Sequence, residues 1–210
     1  MSAPLRSLLN NKPALWALLA VPAALILRRF FTEDIWPGDL LHSSGVWSAR
    51  MMIFALMLTP LSMLFAGRRS VRWLAARRRA FGVAAFLYAL LHLVLYVLDM
   101  ETVRNILDEF WALGIWTGWA ALLLLLPLAL TSNDASVRRL KGGWKRLQRL
   151  AYPAALLTLG HWLFVHDGTA AAIAHFAPLA LLELYRLSRS WRGHHSRPTH
   201  ATAFETGGNQ

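Results

Sequence analysis

Long apolar runs separated by short polar and basic segments dominate this chain. Six of them, at 13–31, 46–66, 80–98, 111–130, 147–165 and 169–187, are about 19 to 21 residues long, close to the roughly 20 that carry an α-helix across a bilayer core. None alternates with period two over barrel-length segments. Backbone polar groups in hydrocarbon must be satisfied internally, so helices are the spanning element. The pattern predicts an all-α polytopic membrane protein, a six-transmembrane-helix bundle over 13–187. Residues 1–12 form a short N-terminal segment carrying Arg6 and Lys12. The first run ends in Arg28-Arg29-Phe30-Phe31 without a small-residue cleavage site, so it reads as an uncleaved helix. From Ser188 the chain turns polar and loses periodicity, which predicts a disordered tail over 188–210. No internal repeat and no soluble domain emerge.

Composition supports the membrane reading. Hydrophobic residues make up 56% of the 210 and charged residues 16%, against roughly 25% charged in soluble domains. A cytosolic enzyme, a secreted disulfide scaffold and a disordered protein are excluded. The net charge of +11 raises nucleic acid as a partner. The basic residues, however, flank apolar runs as positive cytoplasmic loops do, so nucleic acid is not expected. Eighteen of the 22 Lys and Arg residues fall in the N-terminal segment, the second and fourth loops and the tail, while eight of the 11 acids fall in the opposite loops. Both termini should therefore be cytoplasmic. Arg28 and Arg29 depart from this pattern and should snorkel beside Glu33 and Asp34. Trp36, Trp111, Trp144 and Trp191 mark span ends, and Gly114-x-x-x-Gly118 permits close helix approach. The absence of cysteine excludes disulfides, thiolate metal sites and cysteine nucleophiles.

Ionisable residues inside a membrane are costly and by default mark function. Almost all the acids lie in loops, and Glu183 should pair with Arg186. The histidines differ. His92 and His161 are each surrounded by apolar residues, 13 past Arg79 and 12 past Arg149, or roughly 20 and 18 Å from the cytoplasmic edge. Two neutral imidazoles at one depth on separate helices suit a b-type haem, and Gly160 would leave room for a macrocycle face. Equally, each could hydrogen-bond across helices as packing glue. His42, His166 and His175 share the outer region. They could meet a propionate, a quinone or a partner, or serve as hydrogen-bonded interface residues. Arg50, expected one turn into the second span, needs either a partner such as a haem propionate or flavin phosphate, or a path to the headgroups. His194, His195 and His200 read as solvated tail residues.

Several segments carry a resemblance: Asp39-Leu-Leu-His-Ser-Ser-Gly45, Leu58-Thr59-Pro60-Leu61, Arg78-Arg79-Ala-Phe-Gly82 and Tyr88-Ala-Leu-Leu-His92-x-x-x-Tyr96. Others are Leu113-Gly114-Ile115, Leu130-Thr131-Ser132, Trp144-x-x-Leu147-x-Arg149-Leu150-x-Tyr152 and His161-Trp162. In this order, over roughly 39–187, the chain resembles the MsrQ (YedZ) family within the ferric-reductase-like transmembrane domain. The resemblance implies a multi-pass protein of the bacterial inner membrane with haem axial ligands at His92 and His161. His42 and Arg50 become candidates for propionate or supporting contacts. A further family histidine position is Gln148 here, which puts a second, inner haem in question.

The implied function is electron transfer by a haem b subunit. Electrons would come from a cytoplasmic flavin reductase or membrane quinol and pass to a periplasmic molybdenum-containing methionine sulfoxide reductase, which does the repair chemistry. FMN is implied as a further cofactor, and a quinone is possible. Two other readings stay open at this stage: a transmembrane ferric or quinone reductase-type cytochrome b, and a cofactor-free carrier or assembly factor.

Overall fold

A computed structural model describes residues 12–165 and 168–195. Among these residues all regular structure is helical: α1 Lys12–Thr32, α2 Pro37–Leu64, α3 Arg69–Ala75, α4 Arg78–Met100, α5 Val103–Glu109, α6 Leu113–Leu130, α7 Asp134–Leu140, α8 Gly142–Leu147, a 3-10 turn Gln148–Leu150, α9 Ala151–Val165 and α10 Thr169–His195. Five of these, α1, α2, α4, α6 and α10, are long and apolar enough to cross a membrane. The fifth predicted span is realised differently, as a 15-residue α-helix behind a 3-10 turn. Pro153 explains the break. It has no N–H to donate and its ring clashes with the preceding turn, so it is tolerated in the first turn of a helix and not in its interior.

Two further boundaries move. The second helix begins at Pro37, nine residues before the apolar run at 46, because Pro37 and Asp39 make a favourable first turn. The last helix continues past the predicted boundary at Ser188 to His195, its polar end being held at Arg189, whose Nη1 donates to the Met63 carbonyl at 3.3 Å. The rest of the expected tail, 196–210, lies outside the described residues, as do His166 and the side chains of His194, His195 and His200.

Two antiparallel helix pairs make the bundle. In the first, α2 and α4 are joined along their whole length. Trp36 Nε1 donates to Asp99 at 2.5 Å, Ser48 Oγ to the Ala85 carbonyl at 2.9 Å, and Arg78 Nη1 to Thr59 Oγ1 at 2.8 Å. In the second, α9 and its 3-10 turn run beside all of α6. Val165 lies against Gly114 and His161 against Gly118, while Gln148 reaches Thr131. The glycine spacing expected to allow close approach is used in this way. A shared core that includes Met52, Ala85, Leu125, Ala154 and Phe176 joins the pairs, and α10 lies along α2.

The first helix is attached through Tyr88. Its hydroxyl donates to the Leu19 carbonyl at 2.7 Å and accepts from Ala23 N–H at 3.0 Å, bridging α1 next to Pro22, where the helix cannot complete its own bonding. Charge separates the two ends. Arg68 to Arg79 and Arg138 to Arg149 gather at one, the basic end; Glu33, Asp99, Glu101 and Asp108 gather at the other, the acidic end. Arg28 and Arg29 sit at the acidic end, where both reach Glu33, at 3.9 and 3.2 Å. Glu183 pairs with Arg186 at 3.0 Å, as expected.

Candidate functional site

His92 on α4 and His161 on α9 face each other between the two helix pairs. Their ring centroids are 6.0 Å apart and the ring planes stand at 85°. Two imidazoles on one iron, each bonded at about 2 Å, place their ring centres about 6 Å apart. The separation therefore matches that of two imidazoles sharing one metal.

The tautomers are set by backbone carbonyls, which can only accept. Nδ1 of His161 donates to the Gly114 carbonyl at 2.7 Å, and Nδ1 of His92 to the Leu41 carbonyl at 3.0 Å, with Ser44 Oγ at 3.1 Å beside it. The proton on Nδ1 places the lone pair of each ring on Nε2, the arrangement that a ligating histidine adopts. Ser44 is itself anchored, donating to the Leu41 carbonyl at 2.9 Å.

Glycine makes room for both rings. A Cβ on Gly118 would lie 2.7 Å from Nδ1 of His161, and one on Gly45 would lie 3.2 Å from Nδ1 and Cε1 of His92. Gly160, which the sequence suggests for this purpose, faces only Phe164 at 3.8 Å. Gly45 lies in a resemblance segment and Gly118 in a packing motif, but nothing in the sequence marks them as neighbours of the histidines.

Empty space lies on both sides of the pair. One cleft, with about 670 Å³ of empty space counted out to its open mouth, extends toward Tyr96, Trp119 and Leu125; another, with about 320 Å³ counted the same way, extends toward His42 and Trp162. Both are lined by Gly45, His92, Thr158 and His161. The walls are largely apolar, as cofactor sites are. Tyr96, one turn beyond His92, lines the larger cavity, and its hydroxyl is buried without a hydrogen-bond partner. Such an orphan group calls for an explanation, and a carboxylate-bearing ligand supplies one. Among the described residues no three His, Asp or Glu side chains converge on a point. Two imidazoles supply the two axial positions of an iron and a macrocycle supplies the other four, so the residues present fit a haem.

The other sequence candidates divide. His42 lines the smaller cavity and stacks edge-on against Trp162, ring centroids 6.2 Å apart. Arg50 lines neither cavity. Because α2 starts at Pro37, Arg50 sits roughly 20 Å along the helix, not one turn in. Its Nε donates to His175 Nε2 at 3.1 Å and its guanidinium covers the Trp47 ring at 5.3 Å. Gln148 lies at the basic end. Its Nε2 donates to the Leu128 carbonyl at 3.3 Å and to Thr131 Oγ1 at 3.4 Å.

A helical bundle with several helices long and apolar enough to cross a membrane defines a multi-pass membrane protein, here with two imidazoles from separate helices facing each other inside it. The family model described as ferric reductase like transmembrane component matches residues 44–159. A relative from Xanthomonas campestris pv. campestris strain 8004, described as protein-methionine-sulfoxide reductase heme-binding subunit MsrQ, is 33% identical over 93% of this chain and 96% of its own length. Proteins of the same description from Xanthomonas euvesicatoria pv. vesicatoria and Agrobacterium fabrum are 32% and 35% identical, over 93% and 72% of this chain and 92% and 70% of theirs. The chain belongs to the MsrQ family of ferric-reductase-like transmembrane proteins. No solved structure matches it.

Proposed function

We propose that the chain is a haem b electron-transfer subunit, with His92 and His161 as the axial ligands of one haem near the periplasmic face of the bacterial inner membrane. The carrying observation is the 6.0 Å separation of two rings whose Nδ1 atoms are both committed to carbonyls. The bound haem would supply a one-electron redox centre. The protein's residues do the rest. Leu41, Ser44 and Gly114 orient the rings, Gly45 and Gly118 leave space for them, and Leu93, Leu122 and Leu125 exclude water. Tyr96 offers a donor for a propionate. His42 stands within the same enclosure as a second polar contact. Arg50, engaged with His175 and Trp47, is not assigned to a propionate.

Six crossings with both termini cytoplasmic are part of this reading. The pairing of 148–165 with the full length of α6 supports a crossing there despite the short α9. The basic end is then cytoplasmic and receives electrons from a flavin reductase or quinol. The acidic end faces a periplasmic molybdenum-containing methionine sulfoxide reductase. The names of the relatives support that partner, since they describe a heme-binding subunit of a protein-methionine-sulfoxide reductase. No residue of the histidine site is assigned to FMN or to a quinone.

The test is reconstitution of the purified chain into vesicles, with a reductant supplied at the basic end and a periplasmic methionine sulfoxide reductase at the acidic end. Wild-type protein should support sulfoxide reduction and His161→Ala should not. Equal turnover with both would overturn the proposal.

A further inference from the structure

A third and larger cavity opens at the basic end, with about 1510 Å³ of empty space out to its mouth. Four cations line it: Arg78 and Arg79 from the start of α4, and Lys145 and Arg149 from α8 and the 3-10 turn. Only Arg79 meets a carboxylate among the described residues, Asp134 at 2.6 Å. Arg78 donates to Thr59 instead. Lys145 and Arg149 are exposed and line the same cavity.

The interior of the same cavity is apolar. Met52, Ala85 and Leu125 line it, and Ala85 is roughly 10 Å deeper than Arg78 along α4. Gly82 lies between them on that helix, and a Cβ there would meet nothing within 4 Å. The cavity thus has cations at the membrane surface and an oily slot reaching toward the bilayer middle. No histidine lines it, and the amide of Gln148 is turned onto Leu128 and Thr131. An axially ligated haem does not fit these residues.

We propose that this cavity binds an anionic phospholipid, its phosphate held by Arg78, Lys145 and Arg149 and an acyl chain lying past Gly82 toward Leu125. A free phosphate would use the cations but leave the slot empty. A neutral lipid would fill the slot and leave the cations uncompensated. Basic pockets between helices at the cytoplasmic surface recognise lipid head groups in this way. The inference rests on the membrane placement above and is independent of the histidine pair.

The test uses the full-length protein, delipidated in detergent and titrated with phosphatidylglycerol while thermal unfolding is followed. Phosphatidylglycerol should raise the unfolding temperature, and phosphatidylcholine or inorganic phosphate at equal concentration should not. In the Lys145→Gln/Arg149→Gln double variant the apparent affinity should fall about tenfold or more, the loss expected of two surface cations. Gly82→Phe keeps every charge and fills the slot, so it should abolish the response while native unfolding and the haem spectrum persist. An unchanged response in either variant would overturn the proposal. An equal response to phosphatidylcholine or phosphate, or displacement of the lipid by FMN at equal concentration, would also overturn it.

Discussion

Gly118 and His161 are so close that an added methyl carbon would lie 2.7 Å from the ring nitrogen bonded to the Gly114 carbonyl. That carbonyl, one turn back on the same helix, holds the same nitrogen, so the ring cannot retreat from the added methyl without breaking its hydrogen bond. Gly118→Ala should therefore lower haem content severalfold at near-wild-type expression. Gly45→Ala, at a contact of 3.2 Å, should retain haem with a shifted absorption band. Gly160→Ala should behave as wild type. Haem-to-protein ratios across the three variants check the order.

Tyr96 brings a hydroxyl that burial should penalise unless a ligand accepts from it. Tyr96→Phe should leave the stability of haem-free protein unchanged or slightly higher. Hydrogen bonds to charged acceptors contribute about 1.5–3 kcal/mol, so haem loss to an acceptor protein should quicken by about tenfold or more. Unchanged haem release would show that no propionate meets this hydroxyl.

The basic-end cavity gives a sharp expectation for Gln148→His. The substitution places a histidine where the family resemblance implies an inner haem position, but no second imidazole lines the space around it. Haem bound per chain, measured by pyridine haemochrome, should stay at one. A value of two would mean that a ligand reaches this cavity from elsewhere.

At the same end, the Arg79 hydrogen bond, with its charge, holds the Asp134 carboxyl below its ordinary value. A carboxyl depressed in the folded state stabilises above its unfolded value, about 3.9. That contribution is lost as pH falls through the folded value. The unfolding temperature of wild type should exceed that of Asp134→Asn at neutral pH, and the difference should vanish in acid. The pair is exposed, so the difference should be small.

Much of this was legible in the residue pattern, for identifiable reasons. His92 and His161 stand out because each interrupts an otherwise apolar helix, and equal depth can be read by counting from the flanking arginines. The pairing of Glu183 with Arg186 follows from helical spacing. The start of α2 was obscured because Asp39, His42, Ser43 and Ser44 dilute its hydropathy, although Pro37 marks a helix start. Pro153 likewise marked the break before α9, but the apolar run around it reads as continuous. Gly45 and Gly118 could not be assigned to the rings from sequence, since their role depends on two interhelical approaches that only the packed bundle defines. The basic-end cavity was illegible for the same reason. Its four cations also satisfy the orientation rule, and only the fold shows them around one space.

The proposed arrangement places one iron between His92 and His161. Optical and electron paramagnetic resonance spectra of protein purified from haem-replete cells, alongside His92→Ala and His161→Ala, decide it. Wild-type protein should show a low-spin b-type haem at one per chain, lost or converted to high spin in each variant. Colourless, stably folded wild-type protein, or an unaltered low-spin haem in either variant, would contradict it.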